Sequence, residues 1–209
     1  MATDLRNVNT STLRRLDRAW FGRDALLLAR ALLGCYLVHE DAGSGAAQAI
    51  TRVARIVETE AYRGPKDLAC HARAGLTPRT RTLLGEEGRA YVFLIYGMYD
   101  CFNVTCRGAG TGHAVLVRAG EPMAGFAPGT RLDGPGRFAR GMGISRRLNG
   151  HDLTASPLYV CERIVRPRVQ VTARVGVGYA GVWADKPWRF CDAASLHVSR
   201  PARKTIGRG

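Results

Sequence analysis

The chain has 209 residues and a formal net charge of +14, with 31 basic side chains against 17 acidic ones. That length suits one domain able to bury its own core, and 46% hydrophobic residues is ordinary for a globular fold. No run of 18 apolar residues marks a membrane span, no Cys-x-x-Cys marks a zinc site, and the polar N-terminus lacks a signal peptide's apolar core.

The basic excess is mostly arginine: 28 residues against three lysines, Lys66, Lys186 and Lys204. A GC-rich genome explains arginine over lysine, but explains the net charge less well. Arginine's planar fork suits phosphates and base edges, so a nucleic-acid partner is expected. The six cysteines are scattered. They read as small buried thiols in a reducing compartment, which suggests a cytoplasmic protein.

In chain order, residues 1–12 read as a loose arm. Residues 13–200 read as the domain and 201–209 as a flexible basic tail. Leu13 to Trp20 suggests a short helix. Asp24 reads as the N-cap of a buried helix from Ala25 to Leu33, closed by Gly34. Cys35–Val38 and Arg52–Thr59 read as strands around a Gly-rich turn at 42–47. Tyr91–Ile95 and Cys101–Thr105 form a hairpin about Tyr96-Gly97-Met98-Tyr99-Asp100. Ala114–Arg118 and Val169–Val175 are further strands. Asp133–Arg147 is a helix with glycine flanks or a phosphate-contacting loop. Gly176 to Gly181 is expected to be flexible, and Trp183 to Phe190 irregular. Trp20, Trp183 and Trp188 are expected in or beside the core. The sum is an α+β class: one domain with a curved, mainly antiparallel sheet, flanking helices and a protruding β-hairpin.

The segment richest in chemistry is Arg55-Ile56-Val57-Glu58-Thr59-Glu60-Ala61-Tyr62. If it stays extended, Glu58, Glu60 and Tyr62 share one side. Glutamates at a strand end are more often solvated edge residues. A carboxylate beside an aromatic, in a basic protein, instead suggests a site for a flat base. Tyr96 and Tyr99 at a hairpin tip either fold back onto the protein or act as a wedge in a base stack.

These segments together resemble the alkyladenine (3-methyladenine, alkylpurine) DNA glycosylases, the mammalian-type family that also has bacterial members. The resemblance rests on Ala29–Gly34, Arg55–Tyr62 with Gly64-Pro65, Thr77-Pro78-Arg79 and Tyr96-Gly-Met-Tyr99. It continues through Val115–Arg118 with Glu121-Pro122, Gly134-Pro135-Gly136, and Ala173–Gly178 with Lys186-Pro187.

It implies Glu60 as the general base that holds the attacking water, with Arg118 beside it. Tyr62, His71, Phe93 and Asn103 would line the base pocket. Asn103 would clash with a guanine amino group, and Phe93 stands where animal members carry a tyrosine. Tyr96 would fill the gap left by the extruded nucleotide, and a backbone carbonyl near Val175–Val177 would contact the water. The implied activity is hydrolysis of the N-glycosidic bond of alkylated or deaminated purines such as 3-methyladenine, 7-methylguanine and hypoxanthine. No cofactor or metal is needed.

The chemistry agrees. A carboxylate, ionised at neutral pH when its acidity is ordinary, suits an oxocarbenium-like sugar. No dedicated acid for a neutral leaving base stands out, and His71 is a candidate. No lysine lies in the matched pocket segments, so no Schiff base and no strand cleavage are expected. The expected partner is double-stranded DNA containing a damaged purine, met by a monomer. A non-enzymatic nucleic-acid binder is the alternative, but it has no use for Glu60 in a basic groove. A carbohydrate hydrolase using Glu58 and Glu60 fits worse, because residues two apart on a strand lie side by side rather than flanking a bond.

Overall fold

Three strands read from the sequence as regular runs become the middle of one curled sheet. The computed structural model describes residues 13–43 and 48–199. The predicted arm, the tail and residues 44–47 of the 42–47 turn lie outside them. The strands are β1 (Tyr36–Asp41), β2 (Ile50–Arg63), β3 (Ala90–Ile95), β4 (Tyr99–Cys106), β5 (His113–Ala124), β6 (Leu158–Cys161), β7 (Val169–Thr172) and β8 (Arg189–Asp192). The sheet runs β3-β4-β5-β2-β1-β6, with β8 joining β2 and β7 joining β8. Every pairing is antiparallel. The result is an α+β domain with a curled antiparallel half-barrel and few helices.

Strand β2 organises it. One edge pairs with β5 along most of its length. The other edge is divided: β1 takes residues 50–55 and β8 takes residues 58–60. The site grows from this second half.

The helices are α1 (Arg18–Phe21), α2 (Ala25–Leu32) and α3 (Pro135–Met142). Asp24 caps α2 by accepting a hydrogen bond from the Leu26 amide at 3.0 Å. Ala25, Leu28, Ala29 and Leu32 repeat at helical spacing and are buried, whereas Leu27 is exposed, so α2 is amphipathic rather than buried all round. α3 places Phe138, Ala139 and Met142 in the same core. From the sheet come Ala90, Val92, Phe102, Val104, Val115 and Val117. Each large side chain so buried contributes roughly 1.5–3 kcal/mol.

Four expectations are corrected. Helix α1 starts at Arg18, not Leu13, because Asp17 caps it through the Trp20 amide and Leu16 donates instead to Val160. The hairpin loop has three residues, since Ile95 already pairs with Tyr99. Gly178–Trp183 is a 3-10 segment, and Arg189–Phe190 belong to β8. Leu158–Cys161 is a strand that its apolar run could have announced. The three tryptophans do lie in the core or against it.

Alternation fails in β2 at one point, and the failure makes the site. Before Val57 the even residues Ala54 and Ile56 face the main core. After it the odd residue Ala61 does. The register with β5 slips on either side of Glu58, leaving Val57 and Arg118 without partners. These are β-bulges, and each moves the following side chains to the opposite face. Without the slip at Val57, Glu58 and Glu60 would point into hydrocarbon.

Candidate active site

Beyond the bulges the sheet turns its second face to a cavity of about 500 Å³. A single row crosses it: Tyr91 opposes Asn103, Asn103 opposes Leu116, and Leu116 opposes Glu60. Two residues away along the strands stand Phe93, Cys101, Arg118, Ala114 and Tyr62, which line the cavity with His71 from the loop after β2. Tyr62, His71, Phe93, Tyr96, Asn103 and Arg118 all border it. Glu60 lies one layer behind.

Glu58 and Glu60 are not solvated edge residues; both are fully buried. Glu60 Oε2 accepts from the Tyr62 hydroxyl at 3.0 Å, and Oε1 accepts from the Val175 amide at 2.7 Å. Arg118 Nη1 stands 3.3 Å from Oε1. A buried carboxylate without such partners would carry a large desolvation cost. Burial works against the Arg118 cation, but Glu60 and Glu58 outweigh it and hold its pKa above the usual value. Burial, then the Glu60 charge, pushes the Tyr62 phenol well up, so it remains a hydroxyl donor.

His71 opens a 3-10 turn, His71–Ala74. Cys70 and His71 both line the cavity. The imidazole Nδ1 meets the Tyr91 hydroxyl at 3.0 Å, and its ring meets Phe93 edge-on at 4.5 Å between centroids. Burial, with Arg79 adding to it, lowers the His71 pKa to about 4. The ring is neutral at pH 7, which removes it as a cationic acid there. Arg79 also lies over the Phe93 ring at 5.0 Å. The Asn103 amide nitrogen donates to the Tyr91 carbonyl at 3.1 Å, leaving its oxygen as the group able to meet a ligand.

Sequence reasoning missed three supports. Arg174 pairs with Asp67 through two bonds of 2.6 and 2.9 Å, both side chains sealed from solvent. Its guanidinium lies 4.8 Å from the centre of the Tyr62 ring, so it backs that wall. Tyr91 holds His71. Tyr179, 70% exposed, stands on the rim in the stretch read as flexible. Tyr91 stood inside a recognised strand, and period-two alternation from Phe93 would have placed it on the cavity face.

Tyr96 and Tyr99 part company. Tyr99 packs against Gly136 of α3, while Tyr96 is 79% exposed at the turn. Tyr96 and Gly97 both have positive φ, 52° and 68°, and Met98 donates to Ile95 at 3.2 Å. That is a type I′ turn, which prefers Asn or Gly at the position Tyr96 fills. Holding a tyrosine there costs roughly 1–2 kcal/mol. A strained, solvent-facing aromatic at the mouth of a cavity points to a partner outside the chain.

A methylpurine-DNA glycosylase family model matches residues 19–195. A Myxococcus xanthus protein assigned as a 3-methyladenine DNA glycosylase is 49% identical over 187 residues, covering 88% of this chain and 93% of its own. One from Anaeromyxobacter dehalogenans with the same assignment is 50% identical, covering 90% and 88%. A Legionella pneumophila relative, likewise assigned, is 42% identical, covering 90% and 100%. The chain belongs to the methylpurine-DNA glycosylase family. It is therefore a DNA glycosylase, a hydrolase that acts on DNA. The glycosylase keeps both described lysines, Lys66 and Lys186, on its exposed surface and out of the cavity lining.

Proposed function

We propose that this glycosylase takes alkylated or deaminated purines, of the 3-methyladenine, 7-methylguanine and hypoxanthine class, out of duplex DNA. It hydrolyses the N-glycosidic bond with a water activated by Glu60 and leaves an intact abasic site. The observation that carries the reading is the Glu60 carboxylate, tied to Tyr62 and paired with Arg118, behind an aromatic-walled cavity of about 500 Å³. Such a volume lies within the range of small-ligand pockets.

Extruding a nucleotide costs a few kcal/mol. Stacking on Tyr62 and against Phe93 and His71 offsets that cost, at about 1–3 kcal/mol per base and aromatic. Tyr96 fills the gap in the stack. As the bond lengthens, positive charge grows on the sugar and the Glu60 carboxylate stabilises it. The same group accepts the proton of the water that attacks the sugar carbon. Arg118 keeps that carboxylate in place. Glu60 has no open surface, so water reaches it only where Tyr62, Arg118 or the Val175 backbone yields. A base pressing on the Tyr62 ring supplies that displacement.

The leaving group sets the order of substrates. A cationic alkylpurine departs as a neutral base. Hypoxanthine must gain a proton, and a His71 ring that is neutral at pH 7 does not provide one. Cationic lesions are thus the faster substrates. Among the described residues no lysine borders the cavity, and the reading includes no lyase step. One copy of the chain supplies every residue named, so the reading needs only a monomer.

The test is base release from duplex oligonucleotides carrying each lesion, with and without Glu60→Gln. The variant should bind damaged duplex and release base at least about 10²-fold more slowly. Normal release by Glu60→Gln would end the assignment. Borohydride trapping of a protein–DNA adduct would end the monofunctional part alone.

A further inference from the structure

Glu58, which the reaction above does not use, has no contact with solvent and gathers four donors. Its Oε1 accepts from Arg118 Nε at 2.7 Å, Arg189 Nε at 2.8 Å and Ser199 Oγ at 2.9 Å. Its Oε2 accepts from the Ser199 amide at 2.6 Å. We infer that Glu58 is a positioning residue that fixes the plane of Arg118, and that the chain at Ser199 completes its hold. This rests on the function proposed above, in which Glu60 is the base.

A guanidinium is a rigid fork, so seating Nε determines where Nη1 lies. In Arg118 the seated Nε faces Glu58, and Nη1 is left 3.3 Å from Glu60. Arg118 also falls in the β5 bulge, where the ladder register does not constrain it. The carboxylate supplies the constraint that the backbone lacks. Charge follows the same order: Arg189, Glu58, Arg118 and Glu60 alternate in sign along the chain of contacts. Without Glu58, Arg118 would have Glu60 as its nearest counter-ion and would close onto it. The lone pairs needed for water would then be occupied. Glu58 keeps the arginine shared and the base partly free.

Ser199 arrives from far along the chain. After β8 the backbone folds through turns in which Ala193 donates to Arg168 and Ser195 to Asp192. At Ser199 the hydroxyl also stands 3.5 Å from Arg118 Nη2. The segment after the last strand thereby reaches the arginine of the site.

Three variants test this: Ser199→Ala, Ser199→Thr and Glu58→Gln. Each is measured for single-turnover base release, affinity for damaged duplex, melting temperature and the Nε–H resonance of Arg118 in 15N-arginine spectra. Ser199→Ala should slow release by roughly threefold to tenfold, with affinity and melting unchanged. Ser199→Thr, which keeps the hydroxyl, should restore the rate. Glu58→Gln should slow release by roughly 30-fold or more if it folds, again without loss of binding. The Arg118 resonance should move in Ser199→Ala and in Glu58→Gln. Wild-type release by folded Ser199→Ala, or an unmoved Arg118 resonance, overturns the inference. A Ser199→Ala rate loss matched by equal losses of affinity and stability also overturns it, since a general structural role would explain that. If the unaltered protein releases no base, the proposed function fails, and the resonance alone decides the positioning role.

Discussion

Two buried carboxylate–arginine pairs meet Tyr62, one at its hydroxyl and one over its ring, and they are held very differently. Asp67 and Arg174 form a two-point fork at 2.6 and 2.9 Å, and Asp67 also accepts from the Ala69 and Arg63 amides at 3.1 and 3.2 Å. Glu60 meets Arg118 at one 3.3 Å contact, and that arginine is shared with Glu58. The first pair is saturated, and its guanidinium braces an aromatic wall. The second leaves hydrogen-bonding capacity on a charged oxygen next to a cavity. Saturation marks a carboxylate that holds structure, and incomplete engagement marks one that can meet water.

The comparison is broken most directly by neutralising each carboxylate. Glu60→Gln should lower base release by about 10²–10⁴-fold, the range for a lost general base. Its melting temperature should change little, because Arg118 keeps Glu58 at 2.7 Å. Asp67→Asn should do the reverse. Arg174 would then face neutral acceptors alone, the side-chain amide oxygen at position 67 and the Ala61 and Trp183 carbonyls at 3.0 and 3.1 Å, against its buried charge. Breaking such a pair costs about 3–5 kcal/mol, or roughly 10 °C in melting temperature at this chain length. Calorimetry and single-turnover release, run on both variants, separate the two roles. If Glu60→Gln unfolds the protein as readily as Asp67→Asn, the distinction collapses.

A smaller effect sharpens the electrostatics. His71 has a folded pKa of about 4 against an ordinary 6.5. Between those values the unfolded chain binds more protons than the folded one. Its contribution to stability is therefore complete above pH 6.5 and is lost as pH falls toward 4. The loss amounts to at most about 3 kcal/mol. His71→Gln should flatten the fall in stability between pH 6.5 and 4.5, before most carboxylates titrate. Denaturant melts of both proteins across that window check it; parallel curves would mean that His71 is charged in the fold.

Much of this geometry could be read from the chain, and the unread part has a physical reason. Tyr91–Ile95 and Cys101–Thr105 announce themselves because β-branched and aromatic residues alternate there. The same alternation suggested that Glu58, Glu60 and Tyr62 share a side, and Arg118 touching both glutamates agrees with it. What stayed hidden is which side. Ile56-Val57 looks like an uninterrupted strand, yet the bulge there reverses inside and outside. A bulge is a mismatch between two strands, here Ile56 and Glu58 facing the adjacent Gly120 and Ala119, and one strand's sequence does not carry it. Asp67 and Arg174 lie 107 residues apart in the chain. Nothing local joins them, so the brace behind Tyr62 emerges only from the fold. Strand β8 is four residues long and follows Lys186-Pro187, so it lacks the length that makes a periodic pattern visible.

Tyr96 gives the finest comparison, with its own neighbour Gly97. Both adopt positive φ in the same turn, and only the glycine does so without strain. Tyr96→Gly should relieve the αL penalty and stabilise the free protein by up to about 1–2 kcal/mol, less the flexibility that glycine adds to the unfolded chain. It should also remove the aromatic at the cavity mouth and weaken binding to damaged duplex, by roughly the 1–3 kcal/mol of one stacking contact. Tyr96→Asn, which suits the turn and retains less entropy when unfolded, should be the more stable of the two variants and as weak in binding. A side chain kept for turn stability would give the opposite pattern, with stability falling and affinity unchanged. Stability and affinity moving apart in both variants would show that strain in the apo hairpin is retained for what the ring does when the duplex is opened.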